Sequence, residues 1–400
     1  MHERCKEDQG KMTKAQIGRQ YYIDWLRVGA MFLLIFYHTG RLFDEPWHIN
    51  NAVLNPAINI FNRFLDIWHM PLFFILAGAS VWFALGRRSA GEFVKERTLR
   101  LFIPLMFGML VIVPPQVYFE RVFDGDFTGS FLAWYPNTFH GIYSMDNPLS
   151  GNLSWHHLWF LAYLFFFSLI LLPLFWYLRK ENRKPLISRI SGFLARPGAI
   201  FLLTIPLIVF NITLRPIYGW GNQNLINDWA NFLFYITVFF YGFLLVSDGK
   251  MLQAVQRNQF TALIAAVVFS LGIYLSGVGI LPLPGAIVLT FRAIACWCWL
   301  IAIIGIGSHL LNFTNRVLRY TSDAVLPVYI LHQTLIITIG FYVVSWNIGV
   351  APKYFFIAIA TLVSSLAIYE VIRTNNVTRF LFGLRLKRKP KAELVRVGER

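Results

Sequence analysis

Apolar runs long enough to cross a bilayer recur along almost the whole of this chain, and no other feature restricts its fold as much. A membrane-spanning helix needs about 20 mostly apolar residues. Ten such stretches are predicted, approximately at 23–43, 66–86, 98–118, 157–178, 198–217, 229–247, 260–280, 285–307, 323–345 and 354–372. Within the bilayer every backbone polar group must be satisfied internally, which leaves helices as the structure for runs of this length. The expected fold class is therefore all-α: a polytopic integral membrane protein with about ten transmembrane helices. The composition agrees, with 56% hydrophobic and 14% charged residues in 400. A soluble domain of this size is more polar.

Charge placement sets the expected orientation. The net charge of +16 invites a nucleic-acid reading, but the basic residues gather in some loops and avoid others, as membrane topology requires. Arg87, Arg88 and Lys95 follow the second run. Arg179, Lys180, Arg183, Lys184, Arg189 and Arg196 follow the fourth, and Arg385, Lys387, Arg388, Lys389 and Lys391 end the chain. The connection from Phe119 to Ser154 has Arg121 alone, against Glu120, Asp124, Asp126 and Asp146. Both termini are thus expected in the cytoplasm, with segment 119–156 outside. The predicted domains are a cytoplasmic tail at 1–22, a membrane domain at 23–372 and a basic cytoplasmic tail at 373–400. The first 22 residues are polar and lack the early apolar stretch of a signal peptide. Cys5, Cys296 and Cys298 make no disulfide framework. Two cysteines at i and i+2 face different sides of a helix, so no metal is expected there.

Ionisable residues inside membrane helices are costly and point to function. Arg27 and His38 lie eleven positions apart in the first run, on one helix face and roughly 16 Å apart along the axis. Asp66 and His69, three apart, open the second run, and His156 and His157 open the fourth. Arg292 and His332 are embedded in the eighth and ninth. Arg97 and Arg100 begin the third, where they also fit plain positive-inside anchors, and Glu370 ends the tenth, within reach of Arg373. Histidines collect at the expected outer half and arginines, Arg292 excepted, at the inner. The outer connections carry Trp134, Trp155, Trp220 and Trp229, which suit either a membrane-interface belt or a sugar-stacking surface.

Several motifs resemble the membrane acyltransferase 3 family, whose members O-acylate sugars and cell-envelope polymers. They are the Arg-x10-His arrangement of Arg27 and His38, HMPLFFILAG, RTLRLFIP, HLWFL from His157 through Trp159, VYILHQ with His332, and the acid Glu370. Together they cover about residues 20–384. SWHHLWFL and YEVIRTNNVTRFLFGL further resemble a glucan-biosynthesis branch associated with succinylation of periplasmic glucans. The resemblance implies a multi-pass protein of the bacterial inner membrane. It would move an acyl group, acetyl or succinyl in type, from cytoplasmic acyl-CoA to a hydroxyl of a periplasmic or envelope glycan. No permanently bound cofactor, metal or nucleic acid is implied; the partners are acyl-CoA, the glycan and the bilayer. In that scheme His38 is the general base, with Arg27, His332 and Arg292 as further catalytic candidates and Arg292 or a second histidine as oxyanion donor. Arg97 and Arg100 bind donor phosphate, and Asp66, His69, His157, Trp159 and Glu370 support the acceptor side. An acyl-histidine intermediate remains open, as does a different class of function, a transporter or flippase using the histidines as a proton relay.

Overall fold

The computed structural model describes residues 20–144, 151–220 and 223–387. The predicted tails at 1–19 and 388–400, with Cys5, Arg388, Lys389 and Lys391, lie outside the described residues, as do Asp146, Asn147 and Pro148 of the long connection. The described chain is helical, with a single isolated bridge between Ile142 and Leu153.

A helix occupies each of the ten predicted stretches. They are α1 (Tyr21–Asp44), α2 (Pro56–Leu85), α3 (Ala90–Phe123) and α4 (His156–Ile170), which continues after a 51° bend as α5 (Leu172–Leu178). After the amphipathic α6 (Lys184–Leu194) come α7 (Ala199–Tyr218), α8 (Trp229–Leu245), α9 (Gly249–Gly277), α10 (Gly285–Leu310), α11 (Arg316–Val343) and α12 (Val350–Ile372). Seven of these are long and apolar enough to cross a membrane, or eight with the bent α4–α5 pair taken as one span. Of the other two, α8 is apolar but has only 17 residues, about 26 Å of rise against a core of about 30 Å. Helix α1 has 24 residues and carries Asp24, Arg27, Arg41 and Asp44.

Local chemistry explains the ends and breaks. Asn55 caps α2 by accepting from the Ala57 and Ile58 amides, with Pro56 in the first turn. Ser89 and Glu92 form a reciprocal capping box at α3. Asn315 caps α11 through the Leu318 amide. Helix α3 contains two wide π turns, Thr98–Phe102 and Gly108–Ile112, the second running into Pro114 and Pro115. Proline supplies no N–H, so carbonyls a turn earlier are left for other donors. Leu110 O, four residues before Pro114, accepts from the Tyr135 hydroxyl at 2.9 Å; Ile112 O, whose usual donor Gln116 N turns to Val113 O, accepts from the Thr334 hydroxyl at 2.7 Å. Pro173 lies just past the bend between α4 and α5.

The bundle centres on α2. Against α8 the two backbones nearly touch: a Cβ built on Gly78 would lie 1.9 Å from Phe239 O, and one built on Gly242 would lie 1.9 Å from Ile75 O. Small residues permit such approaches between helices that lipid cannot drive together hydrophobically. Elsewhere large apolar side chains face outward, as with Phe260, Ile264, Val267, Val268 and Leu271 on α9 and Phe355, Phe356, Ile359 and Val363 on α12. Bands of this kind suit hydrocarbon rather than water. The chain is thus an all-helical, multi-pass membrane protein.

Candidate active site

Two cavities open toward opposite ends of the same helices. The first, about 350 Å³, is reached past Arg27 near the start of α1, Arg87 and Arg88 after α2, Arg97 and Arg100 in α3, and Arg385 beyond α12. Arg27 Nη2 donates to Ser80 Oγ at 2.9 Å and its Nη1 lies 3.3 Å from Asp24 Oδ1. Arg97 stacks its guanidinium 4.7 Å from the Phe93 ring centre, and its Nε is buried without a hydrogen-bond partner. Arg100 donates to Gly383 O at 3.2 Å and lies 3.5 Å from Glu96, whose carboxylate is shared with Arg88. Two carboxylates, Asp24 and Glu96, among six arginines leave a cationic mouth suited to a multiply charged anion. Two further hollows, of about 480 and 400 Å³, share Arg87, Arg100 and Arg385 with it. Inward, the lining becomes Met31, Phe73, Ala77, Phe160 and Leu164, and it includes Tyr329. A charged mouth leads into an apolar throat.

The second cavity, about 470 Å³, lies at the other end of α1, α3 and α4. Its lining includes His38, Trp47, His48, Tyr143, Trp155, His156, His157, Trp159 and the amides Gln223, Asn224 and Gln333. Five of the nine histidines of the chain come together here: those at 38, 48, 156 and 157 line it, and His332 stands behind. The His332 ring centre is 5.1 Å from that of His38 and 5.1 Å from that of His157. His332 Nδ1 is 2.6 Å from Tyr329 O. A carbonyl only accepts, so Nδ1 carries the hydrogen and Nε2, buried and without a partner, keeps its lone pair in the neutral ring. By the same reasoning His157 donates from Nε2 to Ile330 O at 3.0 Å, and its Nδ1 faces the Gln116 amide at 3.4 Å. His38 Nδ1 is buried without a partner, and the His38 ring lies against Trp47 at 5.9 Å. A polar relay braces the group. Gln333 donates to Gln116 at 3.0 Å, Gln116 to Thr334 at 2.7 Å, and Thr334 to Ile112 O.

Little separates the two cavities. Tyr329 lines the first, its hydroxyl donates to His157 O, and its ring centre is 5.8 Å from His157 and 5.7 Å from His332. Phe160 also lines the first, one residue after Trp159 of the second. Tyr329 and Phe160, lining the first cavity, thus lie beside the histidines and Trp159 of the second.

The predicted residues therefore divide. His38, His157, His332 and Trp159 converge on the histidine end, and Arg27, Arg97 and Arg100 on the arginine end. Arg292 lines neither cavity: it donates to Asp66 O at 3.2 Å and lies 4.3 Å over the Trp220 ring, whose other neighbour is Arg215 at 3.9 Å. Asp66 and His69, expected to act on one face, have separate partners. Asp66 accepts from the Tyr37 hydroxyl at 2.7 Å, whereas His69 is buried and bonds Ala30 O at 2.8 Å. Glu370 is exposed, pairing with Arg373 at 3.1 Å and accepting from Tyr320. It has the salt-bridge role that its spacing also allowed. Sequence reasoning passed over His48, which lies in the short α1–α2 connection, and gave Gln116, Glu120, Tyr143 and Gln333 no role. Polar residues in connections and beside helix ends carry no pattern in the sequence that separates them from solvent-facing ones.

A family described as an acyltransferase domain, acyltransferase 3, matches residues 20–370. Proteins called glucans biosynthesis protein C from Salmonella paratyphi B, Salmonella dublin and Salmonella enteritidis are each 24% identical over 397 residues, spanning 93% of this chain and 96% of their own. No solved structure matches.

Proposed function

Because this chain belongs to the acyltransferase 3 family, we propose that it carries an acyl group of acetyl or succinyl type from acyl-CoA in the arginine-mouthed cavity to a hydroxyl of an envelope glycan in the histidine-lined one. It is an acyltransferase related to glucan-biosynthesis proteins. The observation that supports this reading is an arginine-mouthed cavity lined by Tyr329 and a second cavity lined by His157, whose ring lies 5.8 Å from that of Tyr329. Coenzyme A is a polyanion on a long thin arm, which matches a cationic mouth and an apolar throat in that order. Its thioester would then lie at the Tyr329 end. From the other side, tryptophan and amide groups suit a sugar ring.

In the reaction the hydroxyl oxygen forms a bond to the thioester carbon and the carbon–sulfur bond breaks. His38 takes the hydroxyl proton and passes it to the departing thiolate. A partnerless His332 Nε2 can orient or shuttle that proton. Arg292, away from both cavities, is left out of this scheme as oxyanion donor. In this reading the arginine mouth faces the cytoplasm, as the positive-inside preference favours, with both termini on that side, ten spans in the bacterial inner membrane and the histidine cavity outside.

The decisive experiment incubates the purified protein with radiolabelled acetyl-CoA or succinyl-CoA and a glucose oligosaccharide, with mass spectrometry of the product. An acyl mass on the sugar is expected. Replacing both Arg97 and Arg100 with alanine is expected to weaken acyl-CoA binding at least tenfold, and paired lysines to restore it only in part, since lysine lacks the two-pronged fork. Movement of the oligosaccharide across vesicles without any acyl product would instead identify a transporter.

A further inference from the structure

One group in the histidine cavity is not used by the transfer chemistry above. His48 Nδ1 lies 2.7 Å from Glu120 Oε2, and both side chains are almost fully buried. The Tyr143 hydroxyl donates to the same carboxylate at 3.0 and 3.3 Å. Burial, and then the charge of Glu120, pushes the Tyr143 hydroxyl well above its ordinary value, so it remains a donor. The His48 ring is held on its faces as well. His156 stacks on it at 4.8 Å with 13° between the planes, and Trp47 packs at 4.8 Å. His156 adopts a positive φ of 39°, a backbone position that a residue with a side chain seldom takes and that the surroundings must enforce.

These contacts determine how the ring is presented. With Nδ1 donating to a carboxylate, the neutral imidazole has its lone pair on Nε2, and Nε2 makes no hydrogen bond among the described residues. His48 lines the same cavity as His38 and Trp159. We propose that Glu120 and His48 form an acceptor-binding dyad, in which Glu120 positions His48 so that its Nε2 accepts a hydrogen bond from a hydroxyl of the incoming glycan. This rests on the acyltransferase reading and adds to it how the sugar is held while His38 removes the proton of the reacting hydroxyl.

The same residues invite a metal, because one ligand atom each from His48, Glu120 and His156 lie within 4.8 Å of one another. Two facts favour the dyad. Tetrahedral ligands about 2.1 Å from zinc stand about 3.4 Å apart, whereas His48 Nδ1 and Glu120 Oε2 are 2.7 Å apart, the separation of a hydrogen bond rather than of two ligands on one ion. The Glu120 carboxylate is also already supplied by His48, Tyr143 and, at 3.8 Å, Arg121.

The test uses the full-length protein in detergent, with acetyl-CoA or succinyl-CoA as donor and a short glucose oligosaccharide as acceptor. His48→Ala and, as a milder change, Glu120→Gln are each expected to raise KM for the oligosaccharide about tenfold or more. The affinity for acyl-CoA should stay within about twofold of wild type, which also reports that the variants are folded. Unchanged acceptor KM in both variants would overturn the dyad while leaving the acyltransferase reading intact. A fall in kcat of a hundredfold with KM unchanged would overturn it too, by making His48 part of the chemistry rather than of binding. Activity abolished by a chelator and restored by zinc would replace the dyad with a metal centre. If wild type acylates no sugar at all, both readings fall together.

Discussion

At the scale of single residues, the buried nitrogens are the most informative feature. His38 Nδ1 and His332 Nε2 have no partner although both are enclosed. An unmade buried hydrogen bond costs about 1–3 kcal/mol. Such a cost persists where a substrate or a proton is to be received. His38→Gln keeps bulk and hydrogen bonding but cannot take a proton, so acyl transfer is expected to fall by about 10²–10⁴-fold with acyl-CoA affinity unchanged. Turnover of the acylated sugar, normalised to inserted protein, checks this, and near-normal turnover would remove His38 as base. Much of this was legible in advance, because a histidine or arginine in an apolar run stands out. Arg27, His38 and His332 stand out on that ground, whereas Arg97 and His157, at span ends, gain weight only from the joint pattern and the family motifs. Arg292 stands out equally, yet lines neither cavity. Composition reveals that a charge is embedded but not that Trp220 and the Asp66 carbonyl receive it. His48 and Glu120 escaped notice for the opposite reason, since polar residues are ordinary in connections.

At the scale of elements, hydropathy located the helices and local chemistry placed their ends. Helix α2 begins at Pro56, ten residues before its predicted start, because Asn55 and Pro56 initiate it ahead of the apolar stretch. Helix α9 likewise begins at Gly249 behind its Asp248 cap, well before the apolar run at 260. Neither the bend after Ile170 nor the π turns of α3 could be read from periodicity. Proline announces a break without specifying its angle. Helix pairing was equally hidden, since one glycine looks like another until a backbone is seen against it. The Gly78 and Gly242 contacts make a clear case. Leucine at either position would drive atoms into the carbonyl of Phe239 or Ile75. Overpacking of this kind costs about 1–3 kcal/mol or more. Gly78→Leu and Gly242→Leu are each expected to lower the thermal midpoint in detergent, measured by tryptophan fluorescence. The control is Gly91→Leu, where no atom lies within 4 Å.

For the whole molecule, the question is which end faces which compartment. Loop charge puts the arginine mouth inside, and cysteine accessibility tests it. With Cys5 replaced by serine, the remaining Cys296 and Cys298 are buried. A cysteine at Leu132, 82% exposed beside the histidine end, should react with an impermeant maleimide applied to cells with a permeabilised outer membrane. One at the exposed Asn182 should react only after lysis; the reverse pattern would invert the orientation. The wall of Tyr329, Phe160 and the histidines also bears on the energetics of the cell. A conduit that let either substrate pass whole would have to admit water and ions with it and drain the gradient that powers the membrane. In the proposed reaction only an acyl group would pass between the cavities, and neither substrate would have to cross whole. On the proposed reading, an outer glycan would be decorated from a cytoplasmic fuel without any short circuit between the compartments.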